Sequence, residues 1–257
     1  MKDFTITHIG DTALSLPMPF KFIPAKGKTF MFQADDSSNL GTKSEGIPIT
    51  FEKDFWMCAY QTTQEFWSCV VIAAEHKSLK AFPSYFKGET RPVERVNWSN
   101  VRIFNDALNS LLHLQKISFE NNNRINGKFD LPSETQWEYA AEANQGFVFA
   151  GSQNLNDVGW YDRNSNKQTM PVGLKLANKS GLYDMSGNVW EWCIDDFNPN
   201  LNDIPKNGSP HLGEINLKTF RGGSCFGRAN YCCNRSRSAI QPELKGEGYG
   251  FRILFSE

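Results

Sequence analysis

The sequence lacks a long apolar run and an excess of charge of either sign, and we expect no leader segment in its first residues. No stretch of about eighteen apolar residues occurs, so no membrane-spanning helix is predicted. Lysine and arginine number 27 against 28 aspartates and glutamates, a net charge of −1, which gives no reason to expect a nucleic acid or an anionic membrane as partner. Residues 1–10 show no basic start before an apolar run. We therefore expect a cytoplasmic location, or a cell-surface or secreted one if the natural chain begins earlier.

Cysteine and histidine are few and scattered. The 6 cysteines form no Cys-x-x-Cys pair, and the 4 histidines lie far apart in the chain. So few cysteines in a chain of 257 residues do not make a disulfide scaffold. A structural zinc site needs clustered ligands, so the sequence argues against one.

Aromatic residues, by contrast, are abundant, with 20 Phe and 7 Trp. Most aromatics in a globular protein fill the core, although they also line recognition surfaces. No composition shift resembling a linker divides the chain. We therefore expect one domain over residues 1–257, with residues 1–20 as an N-terminal extension.

Helices are predicted only in the first part of the chain. Their expected N-caps are Thr62 or Thr63, Asn97 or Ser99, and Ser133. Glu65 and Gln136 stand three residues after Thr62 and Ser133, the spacing of a capping box. After Ala143, glycine, asparagine, serine and aromatics dominate, which is typical of short strands between long loops. The order of elements predicts an α+β fold.

Five blocks, taken in order, resemble the formylglycine-generating-enzyme (sulfatase-modifying) family. They are YQTTQEFW (Tyr60–Trp67), RPVERVNW (Arg91–Trp98), DLPSETQWEYAAEA (Asp130–Ala143), GLYDMSGNVWEWCIDDF (Gly181–Phe197), and RGGSCFGRANYCC (Arg221–Cys233) followed by GYGFRILF (Gly248–Phe255). The resemblance implies a C-type-lectin-like fold with few helices and a loop-rich antiparallel β half.

Glu191 lies between two tryptophans and needs a partner if it is buried. Arg221 and Arg252 lie in apolar, glycine-rich segments and have the same need. An internal ion pair, either Glu191 or Asp184 with an arginine, is one solution. The other is calcium, because the resembled enzymes bind Ca²⁺ through the block equivalent to residues 186–191. Asn188 and Glu191 are then the candidate ligands.

The same resemblance raises an enzymatic alternative. The resembled enzymes oxidise a peptide Cys to formylglycine, and they bind copper(I) through two cysteines that follow the Gly-Gly-Ser turn. Counted from Gly222, the first of these positions is Gly227 and the second is Cys232. One thiol is therefore missing, so we expect no catalytic residue and no required cofactor. Cys232 and copper are relevant only under the oxidase alternative.

The segment after Gly222 also resembles the variable region of a second group with this fold, the variable proteins of diversity-generating retroelements. Those regions change at AAC codons through adenine-directed mutagenesis. Many residues here, including Phe226, Tyr231 and Ala239, are reachable from AAC, whereas Gln241 and Glu247 are not. The interpretation we favour is a non-catalytic protein that binds an unidentified protein or other macromolecule. Its candidate ligand-binding residues are Cys225, Phe226, Gly227, Arg228, Asn230, Tyr231, Cys233, Asn234, Ser236, Ser238 and Ile240.

Overall fold

The computed structural model describes residues 2–33, 46–120 and 125–257, together with the backbone of residues 35–36. The helices are α1 (Gln64–Ala73), α2 (Trp98–His113), α3 (Glu134–Glu142) and the single turn α4 (Leu155–Val158). The strands are β1 (Phe4–Ile9), β2 (Thr12–Ile23), β3 (Thr29–Phe32), β4 (Asp35–Asp36), β5 (Ile47–Thr50), β6 (Phe55–Cys58), β7 (Ile117–Phe119), β8 (Lys128–Asp130), β9 (Gly159–Trp160), β10 (Ser186–Gly187), β11 (Trp190–Asp196), β12 (Lys218–Arg221), β13 (Ser236–Ile240), β14 (Tyr249–Gly250) and β15 (Leu254–Ser256). Few helices and many short strands separated by loops confirm the predicted α+β class.

A six-stranded antiparallel sheet has the order β7-β1-β2-β6-β15-β8. The N-terminal strands β1 and β2 lie inside this sheet, and β2 pairs with β6 through Phe20 and Cys58. The ring centroids of Phe4 and Phe20 are 4.8 Å apart, and both rings are buried. Residues 2–20 therefore contribute to the largest hydrophobic core among the described residues.

A second sheet, with the order β14-β11-β12-β13-β4, contains strands from the fourth and fifth blocks, namely β11, the end of β12, and β14. The central strands β11, β12 and β13 are antiparallel, whereas β14 and β4 pair in parallel with their neighbours. Because side chains alternate along a strand, this sheet has two distinct faces. One face packs toward α3, and the other carries aromatic rings.

The helix caps follow the local sequence except at α1. Ser133 accepts from the Gln136 backbone N–H, and the Gln136 side chain accepts from the Ser133 N–H, so the predicted capping box is confirmed. Asn97 caps α2, and Thr63 caps α1. The capping box predicted for Glu65 was wrong. Its carboxylate instead accepts hydrogen bonds from the N–H and hydroxyl of Ser15, a residue distant in sequence.

Within the described part of the chain, no helix has the length and apolarity needed to cross a bilayer.

Candidate binding surface

The Gly-Gly-Ser turn after β12 fixes the start of the candidate surface. Gly222 and Gly223 have φ angles of +91° and +76°, which side chains with a Cβ rarely adopt. A Cβ on Gly223 would lie only 2.7 Å from the Cys232 Sγ and from the Tyr231 carbonyl oxygen. The turn therefore requires glycine, and it lets the 3-10 turn at Ala229–Cys232 pack directly against the backbone.

The segment that follows lies between two depressions. The first, which we call the aromatic cleft, has a volume of about 440 Å³. Its side-chain lining is Trp190, Phe226, Tyr231, Tyr249 and Glu247, completed by Ser224 and the glycines Gly227, Gly246 and Gly248. The second depression, of about 320 Å³, is lined by Tyr161, Asp162, Arg163, Arg228, Ala229 and Asn230. Residues 226–231 thus contribute side chains to both.

Most of the predicted ligand-binding residues reach the surface. Phe226 is 40% exposed. The others with exposed or half-buried side chains are Gly227, Arg228, Asn230, Tyr231, Cys233, Ser238 and Ile240. The segment therefore presents a set of accessible positions close together in the chain.

Three predicted ligand-binding residues lie in the interior instead: Cys225, Asn234 and Ser236. The Asn234 carbonyl accepts from Arg221 at 2.8 Å, and its side-chain amide donates to the Phe147 carbonyl at 3.0 Å. The Cys225 backbone N–H donates to the Asn188 carbonyl at 2.8 Å. These residues support the surface from below, so we exclude them from it.

Strand alternation explains the placement of the last two positions. Ser238 and Ile240 share one face of β13, and Ser238 lies opposite Phe220. The Phe220 ring is 4.9 Å from that of Tyr249 and 6.4 Å from that of Trp190. Ser238 therefore belongs to the face that continues into the aromatic cleft.

The opposite face of this sheet carries a buried ion-pair network, which we call the α3 network. Arg221 lies 3.2 Å from a Glu134 oxygen and also pairs with Glu138. Arg237 pairs with both oxygens of Glu134. All four side chains are almost completely buried, so each charge depends on its partners. The network connects α3 to β12 and β13 directly beneath the candidate surface.

Glu191 is paired internally with Arg252, as one of the two alternatives predicted. Its Oε1 accepts from Gln61 and from Arg252, both at 2.9 Å. Its Oε2 accepts from Trp137 at 2.7 Å and from the Arg252 Nε at 3.1 Å. Four donors satisfy the two oxygens, which leaves no lone pair for a metal ion.

The candidate calcium ligands therefore do not fit a calcium site. The Asn188 side chain is already used, because it accepts from the Met170 N–H and donates to the Met170 carbonyl. The amide nitrogen of Gln61 lies 2.9 Å from Glu191 and 3.0–3.2 Å from the carbonyl oxygens of Asp184, Gly187 and Val189. Such oxygens suit Ca²⁺, but an amide group occupies the point where they converge.

The copper alternative lacks one of its two thiol ligands. Gly227 supplies no thiol at the first position. Burial raises the pKa of the Cys232 thiol well above its ordinary value, with a smaller contribution from nearby Cys233. Burial likewise raises the pKa of Cys225 to about 12. Copper(I) binding uses thiolates, and burial disfavours the thiolate form of both cysteines.

Sequence reasoning missed two acidic residues beside the aromatic cleft. Glu247 lines it, and Glu94 is buried near its rim, where its Oε1 accepts from the N–H groups of Tyr85 and Phe86. The Phe86 ring centroid lies 6.1 Å from that of Phe226. Burial raises the pKa of Glu94 to about 7, and Glu247 contributes in the same direction. Glu94 lies within the RPVERVNW block, but no signal in that block relates it to a binding site, and only the folded chain brings it close to Glu247.

A C-type-lectin-like fold whose Gly-Gly-Ser turn opens onto a partly exposed segment defines the class of this protein. The chain belongs to the sulfatase-modifying factor enzyme 1-like domain family, whose model matches residues 25–256.

Among curated proteins, the chain is 34% identical to "Chaperone protein LppX" of Paenibacillus barcinonensis, over 54% of this chain and 61% of that protein. It is 33% identical to the formylglycine-generating enzyme of Streptomyces coelicolor, over 48% of this chain and 45% of the enzyme. The chain thus spans about half the length of these curated relatives.

Among solved structures, Treponema denticola variable protein 1 is similar over 98% of both chains, with a TM-score of 0.77 and 25% identity.

Proposed function

We propose that this chain is a non-catalytic ligand-binding protein whose surface after the Gly-Gly-Ser turn is diversified, as in retroelement variable proteins. The proposal rests on which side chains after the Gly-Gly-Ser turn are accessible. Most candidate positions reachable from AAC codons, such as Phe226, Arg228 and Tyr231, have accessible side chains. Cys225, Asn234 and Ser236 are buried, as are Arg237 and Pro242, which we expect to stay constant. A variable surface on a rigid framework needs this separation, because changes in the core cost stability.

The supporting similarity is the one to the Treponema denticola variable protein, which extends over nearly the whole of both chains. The Gly-Gly-Ser turn and the α3 network form the fixed base of the proposed surface. Its side chains can then change without disturbing the buried ion pairs.

The composition of the surface favours a protein or another macromolecule as partner. Tyrosine, arginine and exposed phenylalanine are residue types enriched where protein interfaces gain most of their affinity. Tyr231, Arg228 and Phe226 provide these three types within one short segment. The near-zero net charge gives no support to a nucleic-acid partner.

Sequencing tests the proposal directly. We expect a near-repeat of the segment that encodes residues 222–251 beside a reverse-transcriptase gene. Reads from a population should differ at the codons for Phe226, Arg228, Asn230 and Tyr231, with adenine as the source base in the repeat. The codons for Arg237 and Pro242 should stay constant. A uniform coding segment with no repeat nearby would refute diversification.

The oxidase remains a second candidate, because the enzyme relative is 33% identical and Cys232 stands at the second copper position. Copper(I) titration with a chromophoric competitor distinguishes the two functions. Since the first thiol is absent and Cys232 is buried, we expect no tight stoichiometric binding. We also expect Cys232→Ser to have the same weak affinity as the parent. Tight binding of one copper(I) that Cys232→Ser abolishes would favour the oxidase.

A further inference from the structure

The aromatic cleft has walls made of ring faces and edges. Trp190 and Tyr231 lie 6.4 Å apart between ring centroids, with an interplanar angle of 62°. Tyr249 pairs with Trp190 along the neighbouring strand β14. Phe226 also lines the cleft and packs toward Gly248, where a Cβ would approach its ring to 3.1 Å. Four aromatic side chains therefore surround one concave space.

The charge beside these rings is negative. Among the described residues, Glu247 is the only charged one that lines the cleft. Glu94 lies close enough to Glu247 for the two carboxylates to interact electrostatically. The Oε2 atom of Glu94 makes no hydrogen bond with any described residue. Basic residues near the cleft include Arg91, Arg95 and Lys245, none of which lines it, and Arg228, which lines the other depression.

Aromatic faces with an adjacent carboxylate attract cations, because the ring quadrupole presents negative charge above the ring. A primary ammonium needs hydrogen-bond acceptors for its three N–H donors, and besides Glu247 the described lining side chains offer only the hydroxyls of Ser224, Tyr231 and Tyr249. A quaternary ammonium has no N–H donors, so it loses no hydrogen bonds when aromatic rings replace water.

We propose that the aromatic cleft binds a trimethylammonium group carried by the ligand. The inference rests on the proposed ligand-binding function and specifies the chemistry that one part of the surface recognises. Trp190, Tyr231, Tyr249 and Phe226 supply the ring contacts, and Glu247 supplies the countercharge.

Choline and its uncharged carbon isostere, 3,3-dimethylbutan-1-ol, test the proposal on the full chain. Binding is followed by tryptophan fluorescence and by NMR shift changes. We expect choline to bind with a dissociation constant of about 1–10 mM and the isostere to bind at least about fivefold more weakly. Equal binding of the two compounds, or no choline binding, would overturn the proposal.

Two pairs of variants locate the site. Glu247→Gln and Phe226→Leu should each weaken choline binding about threefold to tenfold. Glu243→Gln and Phe82→Leu, exposed residues outside the cleft, are the matched controls and should bind as the parent does. Thermal melting verifies that all four variants fold. Unchanged binding by Glu247→Gln and Phe226→Leu would place any choline site elsewhere and contradict the inference.

A trimethyllysine peptide and its unmodified lysine counterpart then identify the source of the group. Preference for the trimethylated peptide over choline indicates a protein side chain, and preference for choline indicates a small molecule. The sequencing experiment is independent of these measurements. Diversified codons without choline binding would therefore refute this inference alone, and choline binding with uniform codons would refute only diversification.

Discussion

Glu94 is a buried carboxylate that should make the stability of this protein depend on pH. Burial raises its pKa from 4.5 to about 7 in the folded protein, so folding favours the protonated form. The resulting stabilisation is fully present below pH 4.5 and is lost as the pH rises to about 7. A glutamine in place of Glu94 would stay neutral at every pH and would keep an oxygen that can accept hydrogen bonds from the N–H groups of Tyr85 and Phe86.

We therefore predict that Glu94→Gln stabilises the protein relative to the parent by about 2 kcal/mol more at pH 8 than at pH 4.5. Urea denaturation at the two pH values measures the difference. Glu243→Gln, at an exposed position, should show no such change. The same free-energy difference at both pH values for Glu94→Gln would contradict the assigned pKa.

The sequence indicated that Glu191 needs a partner, since a charge between two tryptophans is costly to bury alone. It did not choose between Arg221 and Arg252, because that choice depends on how distant strands meet. Gln61 was missed for another reason. A neutral amide gives no charge or metal-ligand pattern, and its role appears only when three carbonyl oxygens and Glu191 converge on it.

At the scale of single elements, local signals were reliable where no distant group competed. The Ser133 and Gln136 capping box forms entirely within α3 and was predicted correctly. Glu65 has the same spacing relative to Thr62, yet its carboxylate accepts hydrogen bonds from Ser15 on β2 instead. The alternation along β13 likewise explains which predicted ligand-binding residues share a face, but burial of Ser236 depends on what packs over it.

The α3 network is the element-scale feature on which the candidate surface depends. Arg221→Ala should destabilise the fold by about 3–5 kcal/mol, because it leaves the Glu134 and Glu138 carboxylates with less compensation in the interior. The exposed pair of Lys21 with Asp3 provides the matched comparison, and Lys21→Ala should cost about 1 kcal/mol or less. Chemical denaturation of both variants checks the prediction, and equal losses would show that the buried network is not a special source of stability.

In the whole molecule, the two faces of the five-stranded sheet have different roles: one stabilises the fold and the other leads to the proposed binding surface. Its α3-facing side holds buried ion pairs, and its other side leads through Phe220 and Trp190 to the aromatic cleft. The family blocks of the sequence correspond largely to the buried part, which is why they predicted the fold well. They were less informative about the cleft, because they do not include Glu247 and because Glu94, Phe226 and Tyr249 come from three separate segments.

We expect the accessible positions after the Gly-Gly-Ser turn to form a changeable surface on a fixed framework. Saturation mutagenesis of residues 225–240, displayed on yeast and sorted for protease resistance, measures which positions tolerate substitution. Most substitutions at Phe226, Arg228, Asn230 and Tyr231 should leave the protein folded, whereas most at Cys225, Cys232, Asn234 and Arg237 should not. Equal sensitivity of the two sets, or greater sensitivity of the first, would contradict the account.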